Sequence, residues 1–171
     1  MKDLRLEKVT LNMGAGDSAP RLEASKKVLA VLTGKKVVVT KTSKRTTFGT
    51  PKKKAIGVKV TLRKKEAVEL LQRLMKAVEA KIKPSQFDSS GNFSFGIKEY
   101  IHIPGANYDP DIGILGLDVA VTLEKPGFRV KRRAKKKSVV GKGHTISKEE
   151  AIKWAEKFGF IVKEEEEETF Y

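Results

Sequence analysis

The sequence predicts an α+β fold: a mainly antiparallel sheet with helices packed on one face, the other face open, a basic arm and a short C-terminal helix. Three observations lead to this. Segments with a two-residue apolar period and segments of helical period follow one another in the order strand, helix, two strands, helix, several strands. Within the strand segments apolar side chains fall on one side and polar ones on the other, the pattern of a sheet with a single covered face. Beyond Glu124 the composition changes abruptly to lysine and arginine.

Val9, Leu11 and Met13 alternate with Thr10 and Asn12, predicting a first strand that ends at Gly14-Ala15-Gly16. Ser18 or Ala19 precedes Pro20, which suits a first helical turn. Leu22, Val28, Leu29 and Leu32 then form a stripe that stops at Gly34, a well-placed C-terminal cap. Val37, Val38, Val39 and Thr40 predict a short second strand. From Gly57 the alternation returns, with Val58, Val60 and Leu62 opposed to Lys59, Thr61 and Arg63.

Val68, Leu71, Met75, Val78 and Ile82 recur at helical spacing before Pro84, predicting a second helix from Lys65 to Lys83 over the same sheet face as the first. After the turn signal Ser89-Ser90-Gly91-Asn92, Phe93 to Phe95 and Tyr100 to Ile103 read as two short strand pieces. Leu117 to Leu123 reads as the final strand, with Val119 and Val121 opposed to Asp118, Ala120 and Thr122. Ser147 to Glu150 is a capping box, so a third helix runs to Gly159, with Trp154 packing it on the body. Glu164 to Glu168 is a block of like charge that repels itself and is expected to be disordered. The expected organisation is a sheet-and-helix body over residues 1–124, a basic arm and C-terminal helix packed on it over 125–162, and an acidic tail over 163–171.

Of 171 residues, 36 are Lys or Arg and 21 are Asp or Glu, a formal charge of +15 that must lie on the surface and attract polyanions. A chain of this length and 39% hydrophobic content can bury a real core. There is no cysteine, hence no thiolate zinc site, and His102 and His144 are far apart, so neither a metal nor another cofactor is expected. The N-terminus has no apolar signal region and no stretch approaches the ~20 apolar residues of a spanning helix. The expected location is the cytoplasm, with no membrane partner.

Gly14-Ala15-Gly16-Asp17-Ser18-Ala19 matches the dinucleotide fingerprint between a strand and a helix. That fingerprint also needs an acid at the end of the second strand, which here ends Thr40-Lys41, and a first strand buried on both faces. The glycines are better read as a tight turn that could also present backbone N–H groups to an RNA phosphate. No triad or carboxylate pair can be assembled with a spacing rationale, so no enzyme is expected.

Ten basic residues lie in the acid-free stretch between Thr40 and Glu66, and nine from Lys125 to Lys142, with no acid until Glu149. The first stretch includes Lys44, Arg45, Lys52, Lys53 and Lys54 around Phe48. The second includes Arg129, Lys131, Arg132, Arg133, Lys135, Lys136 and Lys137 beside Phe128. A lone charge run is usually a solvated face, but two long acid-free runs with aromatic residues inside them point to polyanion contact. The polar sides of the strands carry Thr10, Asn12, Lys59, Thr61, Arg63 and Thr122, none of them acidic, and an open face of this kind suits RNA. The basic runs lack the apolar face that an interfacial membrane helix inserts, and no DNA recognition helix is visible.

Several co-linear motifs carry a resemblance: Val9 to Gly14, Leu32 to Lys36, Ile56 to Arg63, Gly91 to Glu99, and Tyr108-Asp109 with Gly116 to Asp118. Together they resemble the universal large-subunit ribosomal protein number five, the 5S-rRNA-binding family, over about Leu6 to Leu123. The arm and the helix at Ser147 to Phe158 resemble its archaeal and eukaryotic type. The resemblance implies docking on 5S rRNA and large-subunit rRNA in the central protuberance, beside neighbouring ribosomal proteins. It places sheet-face contacts on Asn12, Lys35, Thr61 and Arg63, and directs the loop Ser43 to Ile56 toward P-site tRNA. The alternatives are a nonspecific nucleic-acid chaperone, which charge alone would support, and a nucleotide-dependent enzyme.

Overall fold

A computed structural model describes residues 3–47, 49–110 and 112–163. Five strands form one antiparallel sheet in the order β2-β3-β1-β6-β5, where β1 is Arg5–Gly14, β2 Val38–Lys41, β3 Ala55–Arg63, β5 Phe93–Ile97 and β6 Leu117–Glu124. β1 lies at the centre, with Thr10 opposite Thr61 on one side and Ala120 on the other. The predicted alternation is realised: Val9, Leu11 and Met13 are buried with Val58, Val60, Leu62, Val119, Val121 and Leu123. The fingerprint's condition of a first strand buried on both faces is therefore not met, since Asn12 is exposed.

Helix α1 (Ala19–Thr33) begins at Ser18, whose hydroxyl accepts from the Arg21 N–H, with Pro20 in the first turn. It ends at Gly34, where φ is 63° and the cap N–H donates to the Ala30 carbonyl at 2.8 Å. Ser25 is fully buried in its apolar face, its hydroxyl donating to the Arg21 carbonyl at 2.8 Å. Helix α2 (Lys64–Ala77) follows β3 without a loop and buries Ala67, Leu70, Leu71 and Leu74. With α1 it covers the apolar side of the sheet.

The second helix stops at Ala77 rather than at Lys83. The Ala80 N–H donates to the Met75 carbonyl at 2.9 Å, and Glu79 and Ala80 take left-handed φ values of 53° and 59°. This is a glycine-type helix ending made without glycine. Ile82 keeps its helical spacing and is buried, but in strand β4 (Lys81–Ile82), which pairs in parallel with β7 (Ile161–Val162). That pairing joins segments far apart in the chain, beyond the reach of a local pattern. A second correction concerns Tyr100 to Ile103, which is no strand: Tyr100–His102 is a 3-10 turn, with Tyr100 buried and its N–H donating to the Leu115 carbonyl at 3.0 Å.

The chain after β6 folds back. Arg129–Arg132 forms a single helical turn, α3, in a segment whose sequence has no apolar period to announce it. Helix α4 (Lys148–Phe158) has the predicted capping box, the Ser147 hydroxyl accepting from the Glu150 N–H. Ala151 and Ala155 are fully buried and let the helix approach closely. Trp154 packs as expected, its ring 6.4 Å from Phe93 of β5 and 5.2 Å from Phe158, while Phe160 meets Phe93 edge-on at 5.8 Å. The acidic block Glu164 to Glu168 lies outside the described residues.

Lys125 is counted with the arm by composition, yet its side chain is buried. Its ammonium donates to Glu150 at 2.7 Å and to the Thr145 carbonyl at 3.1 Å, tying the end of β6 to the start of α4. The Lys125 ammonium, with the Ser147 N–H, holds the Glu150 carboxyl below the usual Glu range.

The two helix ends give measurable outcomes. Ala80→Gly should raise unfolding free energy by about 0.5–1 kcal/mol by removing the left-handed cost, read by urea denaturation; no gain would mean that the ending is unstrained. Glu150 titrates below its ordinary value of 4.5 in the folded chain, so its contribution is present above that pH and lost as pH falls through the folded value. The stability gap between wild type and Glu150→Gln should therefore be constant near neutrality and shrink as the pH falls below 4.5. A gap independent of pH would show that the carboxylate charge does not matter there.

Candidate nucleic-acid interface

The open face of the sheet is built from every second residue of its strands. Lys8, Thr10 and Asn12 of β1 stand in register with Arg63, Thr61 and Lys59 of β3, and with Thr122, Ala120 and Asp118 of β6. Ser94 of β5 extends the middle row beyond Ala120. Asn12, Lys59, Thr61 and Arg63 are exposed, and Thr10 and Thr122 are half-buried between their neighbours. The six residues selected for a common polar face thus occupy one. Lys8 and Ser94 belong to it as well, and for Lys8 the signal is the same parity that selects Thr10 and Asn12. One acid also stands in it, Asp118 opposite Asn12, so the face is acid-poor rather than acid-free.

Lys35 is elsewhere. It follows the α1 cap and its ammonium meets Glu66 of α2 at 2.7 Å, at the edge of the helix layer rather than on the open face. The Gly14-Ala15-Gly16 turn also differs from the phosphate-cradle reading. Both the Ala15 and the Gly16 N–H donate to the Ile56 carbonyl, at 2.9 and 3.1 Å, so those donors are used within the fold. A side chain on Gly57 would place Cβ 2.7 Å from the Met13 carbonyl oxygen, which is why the strand pair beside this turn needs glycine.

The loop between β2 and β3 continues their hairpin past the sheet. Thr42 closes its base by donating to the Lys54 carbonyl at 2.9 Å and accepting from the Lys53 N–H at 2.9 Å. Thr46 and Thr50 close it again nearer the tip at 3.2 Å. Lys44, Arg45, Lys52 and Lys53 are exposed, whereas Lys54 is half-buried and paired with Asp17 at 3.0 Å. Phe48 lies outside the described residues.

In the arm, Arg129, Lys131, Arg132, Arg133, Lys135, Lys136 and Lys137 are all exposed, but not equally available. Arg132 reaches two carboxylates, bonding Glu7 and, at 2.5 Å, Glu124. Glu7 sits at a β-bulge between Leu6 and Lys8 and also accepts from Arg63 at 3.1 Å. Glu124 accepts from Arg5 at 2.6 Å. Three guanidiniums therefore share two largely buried carboxylates, leaving one surplus positive charge and fixing α3 against the end of the sheet. Arg133 donates to the Lys136 carbonyl at 2.7 Å, which curls the arm further. Sequence reading could not assign these partners, because Arg5 and Glu124 are 119 positions apart.

The arrangement can hold an extended polyanion along the face, the hairpin loop and the arm. Among the described residues no group of acids and histidines could hold a metal ion, and no helix is long and apolar enough to cross a membrane.

Residues 1–47 match the family model of ribosomal protein L5, and residues 55–154 match the model of the C-terminus of the same ribosomal family. The chain is 54% identical over 157 residues to the large ribosomal subunit protein uL5 of Sulfurisphaera tokodaii, covering 90% of this chain and 88% of the relative. It is 49% identical over 162 residues to the protein of that name from Nanoarchaeum equitans, with 91% and 93% covered. For the same protein of Methanococcus aeolicus the identity is 46% over 171 residues, with 96% and 94% covered.

If Glu124 anchors the arm, Glu124→Gln should speed trypsin cleavage between Arg129 and Lys137 by roughly tenfold, the shift given by ~1.4 kcal/mol of lost anchoring. An unchanged cleavage rate would mean that the arm is held by other contacts.

Proposed function

The chain belongs to the ribosomal protein L5 family, a structural, non-enzymatic component of the large ribosomal subunit in the cytoplasm, and from that premise we propose that it docks on 5S rRNA through the open sheet face. The observation that carries this reading is the row of small polar and cationic side chains crossing three adjacent strands: Thr61, Lys59 and Arg63 on β3, Thr10 and Asn12 on β1, and Thr122 on β6. Hydroxyl and amide groups on a rigid sheet can meet sugar hydroxyls and the edges of unpaired bases, while Lys59 and Arg63 meet phosphates. The hydrogen-bonded register of an antiparallel face fixes the spacing of these groups, so little ordering entropy opposes the contact.

The remaining charge acts on a longer range. The arm, from Arg129 to Lys137, lies against large-subunit rRNA in this reading, and the hairpin loop with Lys44, Arg45, Phe48, Lys52 and Lys53 extends toward P-site tRNA. Both supply the counterion-release part of affinity, which speeds assembly without selecting sequence. The body over 1–124 then supplies selectivity and the segment over 125–162 supplies a second attachment, so that the protein joins the 5S RNA to the central protuberance beside neighbouring ribosomal proteins.

The test is a competition titration of labelled 5S rRNA against unrelated RNA of equal length at several salt concentrations. A preference for 5S rRNA that persists at high salt is expected; equal affinity throughout would make the protein a nonspecific RNA chaperone. Asn12→Ala and Arg63→Ala should each weaken 5S rRNA binding by ~1–3 kcal/mol with the fold intact. Unchanged affinity in both variants would reject the sheet-face assignment.

A further inference from the structure

We propose that the groove between the basic arm and the Lys8–Thr122 end of the sheet, which adjoins the open face and shares those two residues with it, is a site for single-stranded RNA, taking unstacked nucleotides with their bases against the arm. The proposal rests on the reading of the chain as an RNA-binding protein and adds the conformation of RNA that this groove selects. The groove encloses about 1150 Å³. That is at the upper end of or beyond the ~300–1,000 Å³ of a small-molecule pocket, room for more than one nucleotide.

Its walls have three chemistries. The sheet and the preceding turn contribute Lys8, Thr122, Ser89, Ser90 and Asn92, whose short polar groups can bond base edges and sugar hydroxyls. The arm contributes Phe128, Val139 and Val140, an apolar wall facing those groups. Lys131, Arg132 and Lys137 stand with them as cations. The acid that lines the groove, Glu7, is bonded by Arg63 and Arg132. Single-strand recognition combines an aromatic surface for a base, here Phe128 flanked by Val139 and Val140, with small polar groups for its edge and cations for the phosphates. A duplex keeps its bases stacked inside and would turn hydrated phosphates against the apolar wall, leaving that wall unused.

Val139 is the sharpest sign. It is 89% exposed in a segment otherwise dominated by lysine and arginine, and packing within the chain gives it little to do. The wall that carries it is nonetheless held in place. Arg132 is bonded to Glu7 and Glu124, and the Ser138 N–H donates to the Val130 carbonyl at 3.2 Å. The Phe128 ring meets His144 edge-on at 5.6 Å, and His144 Nε2 lies 2.8 Å from the Pro126 carbonyl oxygen. These contacts tie the arm to the sheet within the chain, so that a strand entering the groove has less of the arm to order.

The experiment uses the full chain with three RNAs: a labelled single-stranded oligonucleotide of about eight residues containing 2-aminopurine, a duplex of equal length, and 5S rRNA. The single strand is expected to bind at least about tenfold more tightly than the duplex, with 2-aminopurine quenching. Val139→Asp, at a position too exposed to disturb folding, should weaken that binding by about tenfold. Lys137→Ala should weaken it less while lowering the salt slope by about one. Lys27→Ala, on the exposed side of α1 and outside both the groove and the open sheet face, should leave the oligonucleotide's affinity unchanged. Equal affinity for duplex and single strand, or full affinity in Val139→Asp, would overturn the proposal. Single-strand selectivity that is lost in Val139→Asp would uphold the groove even if 5S rRNA showed no preference over unrelated RNA, in which case only the 5S assignment fails.

Discussion

The fold depends on the two-sidedness of one central strand. β1 is bonded on both edges, to β3 and β6, so its side chains decide what each side of the sheet becomes. Val9, Leu11 and Met13 are so apolar that their side must be covered, and α1, α2 and α4 supply the cover. Thr10 and Asn12 are too small and polar to call helices to the other side. A slip of one residue would exchange the two sets and present an apolar face to water, a penalty of several kcal/mol for three large side chains. The register that buries the core is the same register that lines up the polar rows.

Charge is then distributed unevenly over a surface of high net positive charge. Some cations are committed inside the molecule: Lys125 to Glu150, Lys54 to Asp17, Lys35 to Glu66, and Arg132 to Glu7 and Glu124. The exposed pairs among them contribute little to stability. The buried carboxylates at Glu7 and Glu124 are different, because removing either would leave guanidiniums crowded together with too few acceptors. Glu7 and Glu124 thereby aim Arg5, Arg63 and Arg132 at the end of the sheet rather than simply neutralising surface charge.

Much of this was legible in the sequence because it is local. The period of Val9 to Met13, the cap at Gly34 and the box at Ser147 each depend on neighbours within a few residues, and each is realised. The misreadings share the opposite property. Val78 and Ile82 satisfy a helical period, but pairing with Ile161 and Val162 requires the chain to turn at Glu79 and Ala80. Tyr100 to Ile103 has the composition of a strand but folds as a turn bonded to Leu115. The resemblance puts Lys35 with the sheet face, whereas it follows the α1 cap at the edge of the helix layer, where it meets Glu66 of α2. Composition likewise could not separate the buried Lys125 from the exposed lysines that follow it.

The position of β1 also sets an order of events during synthesis. The middle strand, β1, is made well before its partner on one side, β6, which begins only at Leu117. β1, α1, β2, β3 and α2 can assemble beforehand, since all lie within the first 77 residues. Until β6 emerges, one edge of β1 keeps its N–H and C=O groups unpaired beside a partly covered apolar side, the kind of edge that recruits foreign strands. The segment carrying α4, made after β6, then closes over β5 and completes the sheet's cover. A chain stalled before Leu117 would be sticky rather than merely incomplete.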